Sequence, residues 1–161
     1  MQAAKRVFVS HSTELPDQKV VKDFIKRVLV SGIGIPKDQI FFSSDKSAIP
    51  PGKYYIPYMR EQLQNAKVVI AWITPNFYGS AFCMCELGAA WSSIPDGLVP
   101  ILSNGIDYDQ MRGILSGMQA YRATKKDLNE LRDHLIKVLG LTATGNNDWE
   151  EERDEFMNAD I

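Results

Sequence analysis

The chain has 161 residues, of which 45% are hydrophobic and 24% are charged, and its formal net charge is −2. This length fits one domain with its own hydrophobic core, and the composition argues against a disordered chain or a coiled coil. No apolar run reaches the roughly 18 residues that a membrane-spanning helix needs, and the amino terminus lacks a signal-peptide core. We therefore expect a cytoplasmic globular protein.

The charges are unevenly distributed along the chain. Residues 144–161 contain seven acidic residues and one arginine, so this tail carries −6 and the remaining residues carry +4. A mildly basic domain suits an anionic small molecule better than a nucleic-acid duplex. An equally good explanation is that both sets of charges only solvate the surface. The tail is expected either to be disordered or to dock as a helix through Trp149, Phe156 and Met157.

Apolar runs typical of strands alternate with amphipathic runs in the first half of the chain. Residues 6–10 predict a strand, and apolar residues at helical spacing then predict a helix that stops at Gly32. Residues 39–44 predict a second strand, which leads into a loop over residues 45–53. A second helix follows, with Pro57 in its first turn.

The second half of the chain continues the same alternation. Residues 67–73 are nearly all apolar, as in a parallel strand covered on both faces, and a loop leads from there to Ser80, the predicted N-cap of a third helix. Residues 97–102 predict a fourth strand. A weak fifth strand follows, and then a last helix that is capped by Thr124 and stopped by Gly140. These repeated β–α units predict an α/β fold with a doubly wound parallel sheet, in which ligands bind beyond the carboxyl ends of the strands.

Several common functional motifs are absent from the sequence. Residues 32–38 contain Gly-x-Gly without the third glycine and precede a strand, so they do not form a dinucleotide fingerprint. The spacing of Cys83 and Cys85 suits neither a disulfide within a helix nor a CxxC pair, and His11 and His134 have no ligand-spaced partners. We therefore expect no metal site, and the aromatic residues do not follow the pattern of a single-strand nucleic-acid platform.

The most informative stretch is SAFCMCELGAAW, residues 80–91, which holds one carboxylate among small and apolar residues. Phe82 and Glu86 share one stripe of the predicted helix by i, i+4 spacing, and Cys83 and Leu87 belong to its packing face. Burying an unpaired carboxylate is costly, so Glu86 is expected at the edge of the core, facing a cleft. The alternative, which composition alone favours, is a glutamate exposed on the surface of a helix.

Several motifs, taken in chain order, resemble those of the TIR (Toll/interleukin-1 receptor) domain family, and the bacterial members more than the animal receptors. RVFVSHSTE resembles the first box of the family, and FFSSDKSAIPPGKYY resembles its second strand and Pro-Gly loop. KVVIAWITPNFYGSAFCMCELGAAW resembles the stretch most typical of bacterial members. The residues that carry this last similarity are Ser80, Phe82, Cys83, Glu86 and Trp91.

The resemblance covers about residues 6–140, so we expect a TIR-like domain over residues 1–143 and an acidic tail over residues 144–161. It implies a flavodoxin-like sheet of five mostly parallel strands in the order 2-1-3-4-5, with helices on both faces. Two features depart from the family pattern. Phe82 stands where many enzymatic relatives have tryptophan, and no clear Phe-Trp third box lies near the last helix.

Bacterial and plant members of this family, and one animal neuronal member, cleave the nicotinamide–ribose bond of NAD. The resemblance therefore implies an NAD+ nucleosidase of the NAD+ glycohydrolase or ADP-ribosyl cyclase type, with NAD+ as substrate and no other cofactor. Its implied product is ADP-ribose, or a cyclic or modified ADP-ribose signal, in bacterial anti-phage immunity. The alternative is a non-catalytic adaptor or effector that acts by homotypic TIR–TIR assembly.

The resemblance implies that Glu86 is the catalytic carboxylate, which stabilises a ribosyl-cation-like transition state. No second acid is needed because nicotinamide departs as a neutral molecule. The implied partners are NAD+, other TIR domains and a separate effector protein that senses the product, with no nucleic acid and no membrane. The implied substrate-binding residues are Ser10, His11, Ser12, Asp45, Lys53, Tyr54, Ser80 and Phe82, and the implied assembly loop is Pro50, Pro51 and Gly52. The alternatives are a plain turn for His11, capping for Ser80 and core packing for Phe82.

Overall fold

A five-stranded parallel sheet forms the centre of the molecule. The structure is a computed structural model, and it describes residues 5–42, 44, 49–103, 105–143 and 145–159. The sheet has the order β2-β1-β3-β4-β5, and every neighbouring pair is parallel, which confirms the predicted flavodoxin-like fold. The strands are β1 (Val7–Ser10), β2 (Ile40–Phe42), β3 (Val68–Ile73), β4 (Leu98–Leu102) and β5 (Tyr121–Arg122).

Six helices in the described ranges connect and cover these strands. They are α1 (Asp17–Asp23), which continues directly into a π-type segment (Phe24–Ile33), α2 (Tyr55–Asn65), α3 (Pro75–Gly79), α4 (Ala81–Ser93), α5 (Lys125–Leu139) and α6 (Asn146–Met157). Short 3-10 turns lie at Lys37–Gln39, Pro95–Gly97, Tyr108–Gln110 and Gly113–Leu115. No helix in these ranges combines the length and the apolar character that crossing a membrane requires.

Each face of the sheet has its own hydrophobic core. Successive side chains of a strand point to opposite faces, so Ile70 and Trp72 join the core beneath α1, α5 and α6. Ala71 and Ile73 join the core beneath α2 and α4. Strand β3 is therefore buried on both faces, which is the reason for its nearly uninterrupted apolar sequence.

The ends of α4 and α5 follow the sequence signals. The Ser80 hydroxyl accepts a hydrogen bond from the Cys83 N–H at 3.2 Å, and the Thr124 hydroxyl accepts one from the Asp127 N–H at 3.2 Å. Each bond satisfies a donor that the first turn of a helix would otherwise leave unpaired. Gly140 adopts a φ of +65° and ends α5. The caps predicted for these two helices are confirmed.

The predicted end of the first helix at Gly32 is wrong. The π-type segment passes through Gly32 to Ile33, and Gly34 ends it with a φ of +89°. A Cβ atom at Gly32 would lie 2.8 Å from the ring of Trp149 in α6. Glycine at this position therefore allows α6 to approach closely, a packing role that sequence pattern alone does not distinguish from a helix stop.

The segment between β3 and Ser80, predicted as a loop, contains helix α3. The Thr74 hydroxyl accepts a hydrogen bond from the Phe77 N–H at 3.0 Å, and Pro75 occupies the first helical position. Both are ordinary signals for a helix start. The prediction of a loop here is wrong, because these two signals start a short helix that ends at Gly79.

Helix α6 lies within the acidic tail and packs against the π-type segment and α5. Trp149 is 3% exposed, and its Nε1–H donates a hydrogen bond to Asn129 Oδ1 at 2.8 Å. The Arg153 guanidinium donates to the same oxygen at 2.9 Å. Phe156 lies edge-on to Phe24, with 5.6 Å between the ring centres. These contacts extend the core beneath α1 and α5 to the carboxyl-terminal helix.

Candidate functional site

Glu86 lies on the inner side of α4, and the residue is 3% exposed. Neither carboxylate oxygen has a hydrogen-bond partner among the described residues. Burial raises the pKa of Glu86 to about 8, and the nearby Ser10 hydroxyl offsets part of this effect. The sequence predicted Glu86 at the edge of the core, whereas the structure places it deeper. The raised pKa reflects the free-energy cost of burying the ionised carboxylate.

Ser10 is the last residue of β1 and lies on the carboxyl edge of the sheet. Its side chain is buried, and its hydroxyl also lacks a hydrogen-bond partner within the described ranges. An unpaired buried polar group costs about 1–3 kcal/mol of folding free energy. Ser10 and Glu86 therefore form a neighbouring pair of polar side chains whose hydrogen-bonding capacity the described residues leave unused, which is typical of a functional site.

A cavity of about 200 Å³ opens beside this pair, at the carboxyl edge of the sheet. Glu86 is not part of its surface. It lies one turn further along α4 than Phe82 and Cys83, which are. The cavity is lined by His11, Thr13, Tyr55, Ser80, Phe82 and Cys83.

An aromatic pair forms one wall of the cavity. The rings of Tyr55 and Phe82 are stacked, with 5.7 Å between their centres and 28° between their planes. Burial and the charge of Glu86 both raise the pKa of Tyr55, so the phenol lies close to the buried carboxylate. Phe82, predicted to lie beside Glu86, is half-buried in this wall.

Tyr55 is a site residue that the sequence analysis missed, because it named Tyr54 instead. Tyr54 precedes the first turn of α2, and its side chain is 84% exposed and outside the cavity. Tyr55 is the first residue of α2 and faces Phe82. A shift of one residue in the start of the helix decides which tyrosine faces the site, and sequence patterns do not fix helix boundaries that closely. Contact of Tyr54 with a substrate stays a prediction.

His11 links the loop after β1 to the end of β2. Its side chain is buried, with Nδ1 2.7 Å from the Ser12 carbonyl oxygen and Nε2 3.1 Å from the Ser44 hydroxyl. A carbonyl only accepts hydrogen bonds, so Nδ1 carries the proton and Nε2 accepts from Ser44. Burial lowers the pKa of His11, which favours this neutral form. Ser12 is also buried, and its hydroxyl accepts a hydrogen bond from the Glu14 N–H at 3.1 Å.

A second and larger groove of about 710 Å³ adjoins the cavity, because Thr13 and Tyr55 line both. The predicted assembly loop, residues 50–52, forms part of this groove together with Lys53. Lys53 is exposed, and Gly52 has a φ of +83° at the tip of the loop. Asp45, the remaining predicted substrate-binding residue, lies outside the described residues.

Cys83 lines the cavity but is not suited to nucleophilic chemistry. Burial raises the pKa of its thiol to about 11, so the thiol is protonated at neutral pH. In the part of the chain that the structure describes, no group of three His, Cys, Asp or Glu residues is arranged to hold a metal ion. Among the titratable groups in this region, Glu86 is therefore the candidate for reactive chemistry.

The fold is a flavodoxin-like α/β domain, and sequence comparison identifies its family. A model of the TIR domain matches residues 7–136, and the chain belongs to the TIR domain family. This family includes members that cleave NAD and members that act as adaptors.

The chain is also similar to the uncharacterized protein YddK of Bacillus subtilis (strain 168). The two are 25% identical over 155 residues, which are 94% of this chain and 56% of YddK. The chain thus spans little more than half the length of this curated relative. Among solved structures, it is similar to the TIR domains of the activated Roq1 resistosome directly recognizing the pathogen effector XopQ. That similarity has a TM-score of 0.49 at 16% identity, over 97% of this chain and 85% of the other.

Proposed function

We propose that this chain is an NAD+ nucleosidase that cleaves the bond between nicotinamide and ribose. The observation that carries the proposal is the buried Glu86 carboxylate, which lacks a hydrogen-bond partner among the described residues and lies behind a cavity with an aromatic wall. Such a carboxylate does not serve stability, and NAD cleavage is a reaction that a single carboxylate supports. Membership of the TIR family, which includes NAD-cleaving enzymes, supports the same reaction.

In this reaction the bond between ribose C1′ and the nicotinamide ring nitrogen breaks, and its electron pair goes to that nitrogen. The cationic nicotinamide of NAD+ thereby departs as a neutral molecule, and positive charge develops on the ribose. Ionised Glu86 stabilises this charge and accepts hydrogen bonds from the ribose hydroxyls, as does Ser10. Attack by water on C1′ yields ADP-ribose and releases one proton. Attack by another nucleophile yields a cyclic or modified product.

Access to Glu86 requires a rearrangement of the aromatic wall. Phe82 and Tyr55 are stacked on each other, and the carboxylate lies behind the surface that Phe82 and Cys83 form. A flat nicotinamide ring competes for the face of Phe82 that Tyr55 now covers. The binding of NAD therefore separates the two rings and brings a cation near Glu86, which favours the ionised carboxylate.

The remaining part of the dinucleotide fits the adjoining groove. His11 and Ser80 line the smaller cavity that adjoins this groove, Ser12 lies between His11 and Thr13 in the chain, and exposed Lys53 in the groove is suited to a diphosphate. The neutral tautomer of His11 holds the loop after β1 against Ser44 and leaves the diphosphate charge to Lys53.

Assembly with other TIR domains is part of the proposal. Pro51 and Gly52 are exposed on the loop, and the neighbouring Tyr54 projects into solvent. In the family this loop helps complete a site between stacked domains. We place the reaction in a cytoplasmic, bacterial anti-phage response, in which a separate effector protein senses the product.

The test is nicotinamide release from NAD+ by concentrated wild-type protein beside two variants. Glu86→Gln keeps the shape of the side chain and removes its charge, so release falls at least 100-fold. Glu61→Gln, at an exposed position on α2, is the matched control and retains wild-type activity. Equal activity of Glu86→Gln and wild type contradicts the assignment of the site. Absence of release by folded wild-type protein at high concentration favours the adaptor alternative.

A further inference from the structure

A second cavity, of about 440 Å³, lies at the carboxyl ends of β3 and β4 on the opposite side of the sheet from Glu86. Its walls include Trp72 and Phe156, which belong to the core beneath α1, α5 and α6. Cys83 and Leu87, the neighbours of Glu86 on α4, belong to the other core. In doubly wound sheets, ligands bind beyond the carboxyl ends of the strands. The proposed cleavage of NAD makes no use of this cavity.

The charge of the cavity comes from Asp17. Among the described residues that line it, Asp17 is the charged one, and none is lysine, arginine or histidine. Asp17 is 7% exposed, and one of its carboxylate oxygens accepts a hydrogen bond from the Thr74 hydroxyl at 2.5 Å. This bond holds the carboxylate in the lining of the cavity without neutralising it. A ligand that contacts Asp17 must therefore supply hydrogen-bond donors or a positive charge.

The helix ends around the cavity also disfavour an anion. Helices α1 and α3 begin here, but Pro16 and Pro75 at their starts carry no N–H group for an anion to accept. Asp17 itself lies in the first turn of α1 and offsets the partial positive charge of that end. Helix α6 ends beside the cavity at Met157, and the carboxyl end of a helix carries partial negative charge.

The opposite wall of the cavity is apolar and partly aromatic. The rings of Trp72 and Phe156 lie nearly perpendicular, with 6.3 Å between their centres and 80° between their planes. Val20 and Met157 extend this surface. A hydrocarbon body packs favourably here, and a cation over an aromatic face gains further attraction.

We propose that this cavity is a binding site for a small organic cation, a primary ammonium group carried on an apolar body. The ammonium group pairs with the Asp17 carboxylate, and Asn76 and Ser103 at the rim accept its remaining N–H groups. The apolar body lies against Trp72 and Phe156. Because α6 supplies Phe156 and Met157, the bound cation also stabilises the docked position of α6.

The proposal does not depend on NAD chemistry, so it is tested with the full chain and three probes that differ in charge. The probes are 2-phenylethylammonium, 2-phenylethanol and phenylacetate, which share one apolar body. Isothermal titration calorimetry at pH 7 is expected to detect binding of 2-phenylethylammonium to the protein. 2-Phenylethanol is expected to bind at least tenfold more weakly, and phenylacetate is expected not to bind. The midpoint temperature of thermal unfolding is expected to rise in the presence of 2-phenylethylammonium.

Two variants locate the binding. Asp17→Asn keeps an acceptor for the Thr74 hydroxyl but removes the charge, and it is expected to weaken the affinity for the cation at least tenfold. Asp148→Asn, in the first turn of α6, removes an exposed charge outside the cavity and is the matched control, with unchanged affinity. Equal affinity for the cation and the alcohol, unchanged affinity in Asp17→Asn, or no binding of the cation to folded wild-type protein each overturn the proposal.

Discussion

Glu86 is a carboxyl group whose ionised form is disfavoured by the fold around it. Its pKa is about 8 in the folded protein, well above the ordinary carboxyl value that the unfolded chain has. Between these two values the folded state keeps a proton that the unfolded state loses. The contribution of Glu86 to stability is therefore fully present below the unfolded pKa and is lost as the pH rises through about 8.

The loss of stability with rising pH predicts how Glu86→Gln alters the dependence of the free energy of unfolding on pH. The glutamine cannot ionise, so the wild type loses about 3 kcal/mol of unfolding free energy relative to the variant between pH 5 and pH 8. Chemical denaturation of both proteins at the two pH values measures this difference. A constant difference between them across this range contradicts the burial of an uncompensated carboxylate.

Tyr54 and Tyr55 are adjacent in sequence, but the structure separates their predicted effects. Tyr55→Ala removes the ring that NAD must displace from the face of Phe82, so kcat/KM for NAD is expected to rise at every protein concentration. Tyr54→Ala removes an exposed ring outside the cavity, so any loss is expected to act through assembly and to be recovered as the protein is concentrated. Nicotinamide release across a concentration series measures both effects, and the reverse pattern contradicts the assignment of the wall to Tyr55.

Residues that share one helix were predictable, and residues brought together by the tertiary fold were not. The i, i+4 spacing of Phe82 and Glu86, and the cap at Ser80, place these three correctly along α4. The buried His11 ring accepts a hydrogen bond from Ser44, which lies 33 positions away in sequence. No local pattern predicts that contact, and the sequence alone favoured a plain turn for His11 over a role in ligand binding.

Among the elements, the first helix shows how packing overrides a local signal. Glycine is a typical helix stop, but here the helix continues through Gly32 to Ile33, and the ring of Trp149 in α6 occupies the space beside the glycine. The residue that explains Gly32 lies over a hundred positions further along the chain. Helix termination by glycine is a backbone preference of about 1 kcal/mol, which tertiary contacts exceed.

Docking of α6 is expected to contribute strongly to stability. Trp149→Ala removes a ring that is 3% exposed and leaves Asn129 without the indole donor, so it is expected to lower the free energy of unfolding by about 3–5 kcal/mol. Trp91→Ala, on α4 with 54% exposure, is the matched control and is expected to cost far less. Urea titrations measure both, and equal effects contradict a packed α6.

For the whole molecule, the uneven charge distribution has a structural explanation. Arg27 in the π-type segment forms ion pairs with Asp23 at 3.1 Å, with Glu152 at 3.4 Å and with Glu155. Part of the positive charge of the domain is thus used to hold the acidic α6 rather than to attract a ligand. The sequence revealed the separation of charge but not that the two charged parts contact each other.

The overall topology was predictable because it depends on patterns that are local and repeated. Alternating strand and helix signals imply parallel strands, and the fully apolar β3 implies a strand covered on both faces. The order 2-1-3-4-5 came from the family resemblance and is confirmed. The depth of Glu86 and the second cavity depend on how helices pack against that sheet, which no local pattern specifies.

Assembly through the loop at Gly52 predicts that activity per molecule rises with protein concentration. Gly52→Val strains a backbone with a φ of +83° at an exposed position with no atoms near its Cβ, so it disturbs the loop and is expected to lower both activity and oligomer size. Gly105→Val, with a φ of +86° and equally free surroundings, carries the same strain elsewhere and is the matched control. Light scattering and nicotinamide release measure both, and equal effects of the two variants contradict the role of the loop.

The catalytic role of Glu86 is tested most directly by the pH dependence of kcat/KM for nicotinamide release, measured from pH 6 to pH 9.5 with Glu86→Gln as the baseline. Because kcat/KM reports ionisation of the free enzyme and Glu86 must be ionised, kcat/KM is expected to rise about tenfold per pH unit and to level off above pH 8. A profile that is flat or falls with pH, or release no greater than that of Glu86→Gln at every pH, contradicts the claim that the buried carboxylate performs the cleavage.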